Sequence, residues 1–138
     1  MKTALVLALA AVLMLGDCTA AVADGIVEKY WKLVELNGKP VPPLEREPHM
    51  ILKADGHVNG FGGCNAFTGS YKLDASASRL SFGEIASTMM ACADGMDVEQ
   101  IFHKALRSAD SYALNGDRLV LIRARMSPLA RFEAVYLR

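Results

Sequence analysis

Three turn dipeptides constrain this chain more than any other feature. Asn37-Gly38, Asp55-Gly56 and Asn115-Gly116 each separate stretches rich in β-branched, aromatic or alternating apolar residues. Asn-Gly and Asp-Gly favour tight hairpins, because both residue types tolerate the left-handed backbone that a two-residue turn requires. A chain punctuated in this way pairs its neighbouring segments antiparallel. Residues 28–37, 49–53, 58–61, 66–73, 79–82, 111–114, 119–122 and 131–137 read as strands around these turns. In the first of them Trp31 and Leu33 share one parity while Leu36 falls on the other, so its alternation is imperfect.

Breaks in the pattern come from proline and glycine. Lys39-Pro40-Val41-Pro42-Pro43 forces an extended loop, since proline donates nothing to a ladder. Residues 126–129 read as a loop through Pro128. Gly60, Gly62 and Gly63 break or bulge the strand they follow. Residues 84–92 read as a strand or extended segment leading into a helix. In that helix Val98, Ile101, Phe102, Ala105, Leu106 and Ala109 follow the i, i+3, i+4, i+7, i+8, i+11 pattern of one apolar stripe. Asp94 is placed to cap it, with Asp97 in its first turn. Glu99, Gln100, His103, Lys104 and Arg107 fall on the opposite, polar face. The expected fold is mainly β (α+β): a small antiparallel, barrel-like, strongly curved sheet with one amphipathic helix packed across it.

The start of the chain reads as an export signal. Met1-Lys2-Thr3 is a short positive start, and residues 4–15 are an unbroken apolar run, too short to span a membrane. Ala21-Val22-Ala23 before Asp24 fits a cleavage site, giving a signal peptide over 1–23 and a single domain over 24–138. Alternatively, Leu15-Gly16-Asp17-Cys18 fits a lipoprotein leader over 1–17 with Cys18 lipidated, against which the charged Asp17 stands. Both exits lead to an oxidising compartment. The expected location is periplasmic or secreted, with a lipid-anchored envelope protein as the alternative.

Charge and spacing exclude several function classes. Fifteen basic residues balance fifteen acidic ones, and loss of residues 1–23 removes one of each, so no basic excess suggests nucleic acid or an acidic membrane surface. Membrane association is expected only through Cys18. Gly60-Phe61-Gly62-Gly63 lacks the Gly-Lys-Ser/Thr and the helix of a phosphate-binding loop. His49, His57 and His103 form no metal motif, and Met89, Met90 and Cys92 fit core filler better than a soft-metal set. No metal, cofactor or catalytic residue is assigned. The domain is expected to be monomeric, with an unidentified protein or apolar ligand as partner.

Cys64 and Cys92, 28 residues apart, admit three fates. They can be bridged, which would contribute roughly 3–4 kcal/mol by chain entropy; they can be inert thiols; or Cys64 can be a nucleophile among glycine N–H groups. The last needs a base that no motif supplies.

Two stretches carry a family resemblance. Gly63-Cys64-Asn65 leads to Phe67, Gly69 and Tyr71, and Ser87-Thr88 leads to Met90-Ala91-Cys92. With Trp31, Leu33 and Leu36-Asn37-Gly38 at the opening, a helix from Met96 and closing strands near Leu119 and Leu121, the chain resembles the META domain family of HslJ-like, heat-inducible bacterial proteins across residues 30–137. The resemblance implies a small β-barrel-like domain with one helix, a Cys64–Cys92 disulfide and an exported, periplasmic or lipid-anchored location. It implies loose links to heat shock, motility, antibiotic tolerance and virulence, without an established enzymatic activity. The function expected is a non-enzymatic exported domain serving as a stress-related binding or interaction module of the envelope. A carrier of an apolar ligand in the barrel is the alternative, and a thiol enzyme using Cys64 the remote one.

Overall fold

The computed structural model describes residues 25–136. The expected signal peptide over 1–23, the alternative lipoprotein leader over 1–17 and Cys18 lie outside the described residues. The strands are β1 (Tyr30–Leu36), β2 (Lys39–Pro40), β3 (His49–Leu52), β4 (His57–Phe61), β5 (Ala66–Asp74), β6 (Arg79–Phe82), β7 (Ala86–Ser87), β8 (Ser111–Asn115), β9 (Arg118–Arg123) and β10 (Ser127–Val135). One helix, α1 (Met96–Ser108), lies between β7 and β8. Eight strands pair antiparallel in the order β1-β3-β4-β5-β6-β8-β9-β10, and β10 returns to β1 and closes the barrel. The short strands β2 and β7 pair with β1 and β5 from outside this cycle. Closure leaves no free edge along most of the wall.

The hairpins fall at the turn dipeptides. Asn37 and Gly38 both have positive φ (48° and 80°) between β1 and β2, the backbone of a type I′ turn. Gly56 turns β3 into β4, and Gly116-Asp117 joins Asn115 to its partner Arg118. A further hairpin, at Ala124 and Arg125, uses positive φ without glycine or asparagine and so gave no sequence signal. The wall is thinnest between β6 and β8. Arg79 and Ser111 are the one register pair there, flanked by Leu80 N–H to Asp110 C=O and Tyr112 N–H to Ser78 C=O.

Side chains from the wall and the helix fill the interior together. Trp31, Leu33, Met50, Leu52, Val58, Leu80, Leu119, Leu121 and Phe132 point inward and are buried. A register shift between Leu33 and Glu35 explains the imperfect first strand: the bulge turns Leu36 inward behind Trp31 and Leu33. The Trp31 indole N–H donates to the Ile26 carbonyl at 2.8 Å, so its polar edge is satisfied inside the core. From α1, Phe102 stands edge-on to Phe67, with ring centroids 5.5 Å apart, and packs 5.7 Å from Phe132. Each such ring, fully buried, contributes about 1.5–3 kcal/mol.

Several local expectations are corrected. The cap of α1 is Gly95, at φ 91°, rather than Asp94, and no side chain bonds the helix start there. Gly95 sits so close to the β4–β5 turn that a Cβ would lie 2.2 Å from the Gly63 carbonyl oxygen, which leaves room for glycine alone. On the helix, Glu99 turns inward and Ile101 outward, although periodicity places them the other way round. His103 likewise leaves the polar face and is half-buried against the Phe67 ring. Pro128 lies inside β10, at a register shift before Ala130, because a bulge frees the position from the ladder. Within residues 84–92 only Ala86 and Ser87 are strand.

Candidate functional site

The two sequence stretches that stood out meet at one end of the barrel. Gly62-Gly63-Cys64-Asn65 is the turn between β4 and β5, closed by Gly62 N–H donating to the Asn65 carbonyl at 2.9 Å. Cys64 is bonded to Cys92, with an S–S distance of 2.02 Å and Cα atoms 5.8 Å apart. The bridge fastens the segment that leads into α1 onto this turn. Closing a loop of that length contributes roughly 3–4 kcal/mol by the chain-entropy argument.

Asn65 is the hub beside the disulfide. It is 3% exposed, and every polar atom of its side chain is engaged. Its Oδ1 accepts from the Met90 N–H at 2.7 Å and from the Thr88 hydroxyl at 3.0 Å. Its Nδ2 donates to the Met90 carbonyl at 3.2 Å and to Glu99 Oε2 at 2.9 Å. The amide therefore holds Met90 from both sides, as a neighbouring strand residue would.

Glu99 supports the hub from below. Glu99 is 6% exposed, and its carboxylate accepts from the backbone N–H groups of Cys64 (3.3 Å) and Asn65 (2.5 Å) through Oε1. Buried carboxylates are costly unless such donors surround them. The first turn of α1 adds a favourable field, since free N–H groups at a helix start complement negative charge. The inward turn depends on Gly62: a Cβ there would lie 2.7 Å from Glu99 Oε1, so glycine leaves the space the carboxylate fills.

A shallow groove of about 330 Å³ opens next to the disulfide. Leu44, Arg46, Phe61, Met90 and Cys92 are among the residues that line it. The Arg46 guanidinium lies over the Phe61 ring, 4.1 Å from its centroid, a cation–π contact that fixes a positive charge on an apolar floor. Met90 and its neighbour Met89 project outward, 58% and 97% exposed. These methionines are surface residues rather than core filler.

The histidines stand apart from one another in role. His49 stacks on Tyr30, with centroids 4.3 Å apart, and His57 pairs with Asp55 at 3.1 Å. His103 lies on α1, one turn beyond Glu99. Its buried Nε2 has no hydrogen-bond partner among the described residues, and burial lowers its pKa below the ordinary histidine value. The nearby Arg107 pushes it the same way, while Glu99 opposes both. The disulfide and helix α1 thus bring together Cys64, Asn65, Met90, Cys92 and Glu99, and of these only the two cysteines are site residues in the sequence reading.

Comparisons with known proteins agree with this architecture. A solution structure of a protein from Burkholderia xenovorans superposes with a TM-score of 0.62 at 23% identity, covering 81% of this chain and 85% of that one. A crystal structure of a DUF4847 family protein from Bacteroides vulgatus superposes with a TM-score of 0.64 at 16% identity, covering 82% and 96%. At such identities the likeness is one of fold. No curated protein matches the chain. The META domain profile matches residues 24–136, and the chain belongs to the META domain family.

Proposed function

We propose that this META domain is an exported, non-enzymatic interaction module of the bacterial envelope, active under envelope stress. The observation that carries the reading is the use made of the polar groups at the site. Asn65 and Glu99, which could otherwise serve chemistry, spend their hydrogen-bonding capacity on holding the segment around Met90 in place. Both sulfurs at the site are in the disulfide, which supports a structural use of the cysteines over a nucleophilic one. What the frame presents outward is a rigid surface: Met89, Met90 and the groove with Arg46 on Phe61. A disulfide suits a protein that works outside the reducing cytoplasm, and the signal sequence with either Cys18 or Asp24 as the mature start supports the same place of action.

The apolar-carrier alternative needs interior space, and Trp31, Met50, Phe102 and Phe132 occupy the barrel centre. The reading is tested by assaying the oxidised protein and its Cys64→Ser variant on ester, amide and phosphoester substrates. No turnover by either is expected. Turnover that Cys64→Ser abolishes, with an unchanged circular dichroism spectrum, overturns the proposal in favour of a thiol enzyme.

A further inference from the structure

The rim of the site has an unpaired strand edge. In the β5–β7 ladder Phe67 faces Ser87 and Thr68 faces Ala86, and the Thr88 N–H donates to the Ala66 carbonyl at 3.1 Å. Antiparallel residues alternate between turning their backbone groups toward the partner and away from it. Ala86 and Thr88 therefore turn toward β5, and Ser87 turns away. Met90 takes the next inward position, where the Asn65 side chain both accepts from its N–H and donates to its carbonyl. By the same alternation Met89 turns outward. Among the described residues the outward N–H and C=O groups of Ser87 and Met89 meet no partner.

This edge lacks the protections that sheet edges normally carry. Strand edges are usually blunted by charge, proline or a covering element. From Ile85 to Ala93 the chain has no charged residue and no proline, and residues 86–91 are all exposed. Nor is the edge loose: the disulfide at Cys92, Asn65 and the β5 ladder fix it from the inner side, so little ordering cost remains for a partner. Beyond Met90 the edge runs into the groove floored by Phe61, where Arg46 stands.

We propose that residues 86–90 form a docking strand that takes an extended polypeptide segment of a partner protein by β-augmentation. Two donors and two acceptors, repeating every second residue, are the complement of an extended backbone and not of a helix, whose groups bond internally. The segment recognised is uncharged where it pairs, carries no proline at its bonded positions, and places apolar side chains against Met89 and Met90. The inference rests on the interaction-module reading and names the chemistry of its partner.

The test uses linear peptides of about nine residues, a length that spans a typical strand, selected from a display library against the oxidised protein. Affinity of a selected peptide is then measured for the wild type, Ser87→Pro and Met89→Lys. Proline at 87 deletes an outward N–H while sparing the inner ladder. Lysine at 89 places a charge at a position that is 97% exposed, so it does not threaten folding. Weakening by about tenfold or more in both variants is expected, a change large enough to separate edge pairing from incidental contact. A peptide methylated on its bonded backbone nitrogens should not bind. Failure to select any binder, or affinity unchanged in Met89→Lys, overturns the proposal. So does self-association of the wild type that Met89→Lys abolishes, because the edge would then pair with a second copy of this chain. The substrate assays above judge the non-enzymatic reading independently of these outcomes.

Discussion

The barrel interior and the frame around Asn65 are held together by opposite means. Inside, Trp31, Leu52, Phe102 and Phe132 are buried by the non-directional attraction of apolar surface. At the frame, residues 86–91 are exposed and contribute almost nothing to the core. Their position comes from one covalent bond, from the short ladder to β5 and from directed hydrogen bonds to Asn65, itself held by Glu99. The contrast teaches why an exposed, uncharged segment can be rigid. Rigidity there does not depend on burying the side chains that face solvent, so Met89 and Met90 remain available to contact something else.

Substitutions in the two regions should separate the two mechanisms. Phe102→Ala has the largest expected effect, about 3–5 kcal/mol of global stability, because it removes a fully buried ring and leaves a cavity between Phe67 and Phe132. Urea denaturation should show the loss with one cooperative transition. Glu99→Gln should cost less, about 1–3 kcal/mol, since the amide can present its donor to Asn65 Nδ2, also a donor. Its signature should be local: faster hydrogen exchange at the Asn65 and Met90 amides before any change in the barrel. An unaltered exchange rate at Met90 would show that the disulfide and the β5 ladder place the segment without Glu99.

The smallest effect should come from His103, which lies on the helix between the two regions. Its pKa is lowered in the folded state, chiefly by burial. The unfolded chain therefore binds the proton more readily, and stability rises with pH across the interval between the two values. As pH falls through about 6.5, the ordinary histidine value, stability should decline until the lowered folded pKa is passed and then level off. Melting temperatures measured from pH 7.5 to 5 should show this slope in the wild type and not in His103→Gln.

Much of the wall was legible because its signals are local. Asn37-Gly38 demands positive φ whatever surrounds it, and the stripe from Val98 to Ala109 identifies a helix by its own period. Glu99 was not legible, because its inward turn depends on the absence of a side chain at Gly62, distant in sequence. Pro128 within β10 and the turn at Ala124-Arg125 were hidden for a similar reason: neighbouring strands override local preference at both places.

The sequence by itself determined an antiparallel β domain with one helix, its main turns and the family it belongs to, since each is written in residues close together or in motif identity. Only the tertiary structure decided that the barrel closes between β1 and β10, that Glu99 is the buried support of Asn65, and that Ser87 and Met89 present an open edge. These depend on which distant segments share space, and burial and hydrogen-bond satisfaction are properties of that shared space rather than of any residue alone.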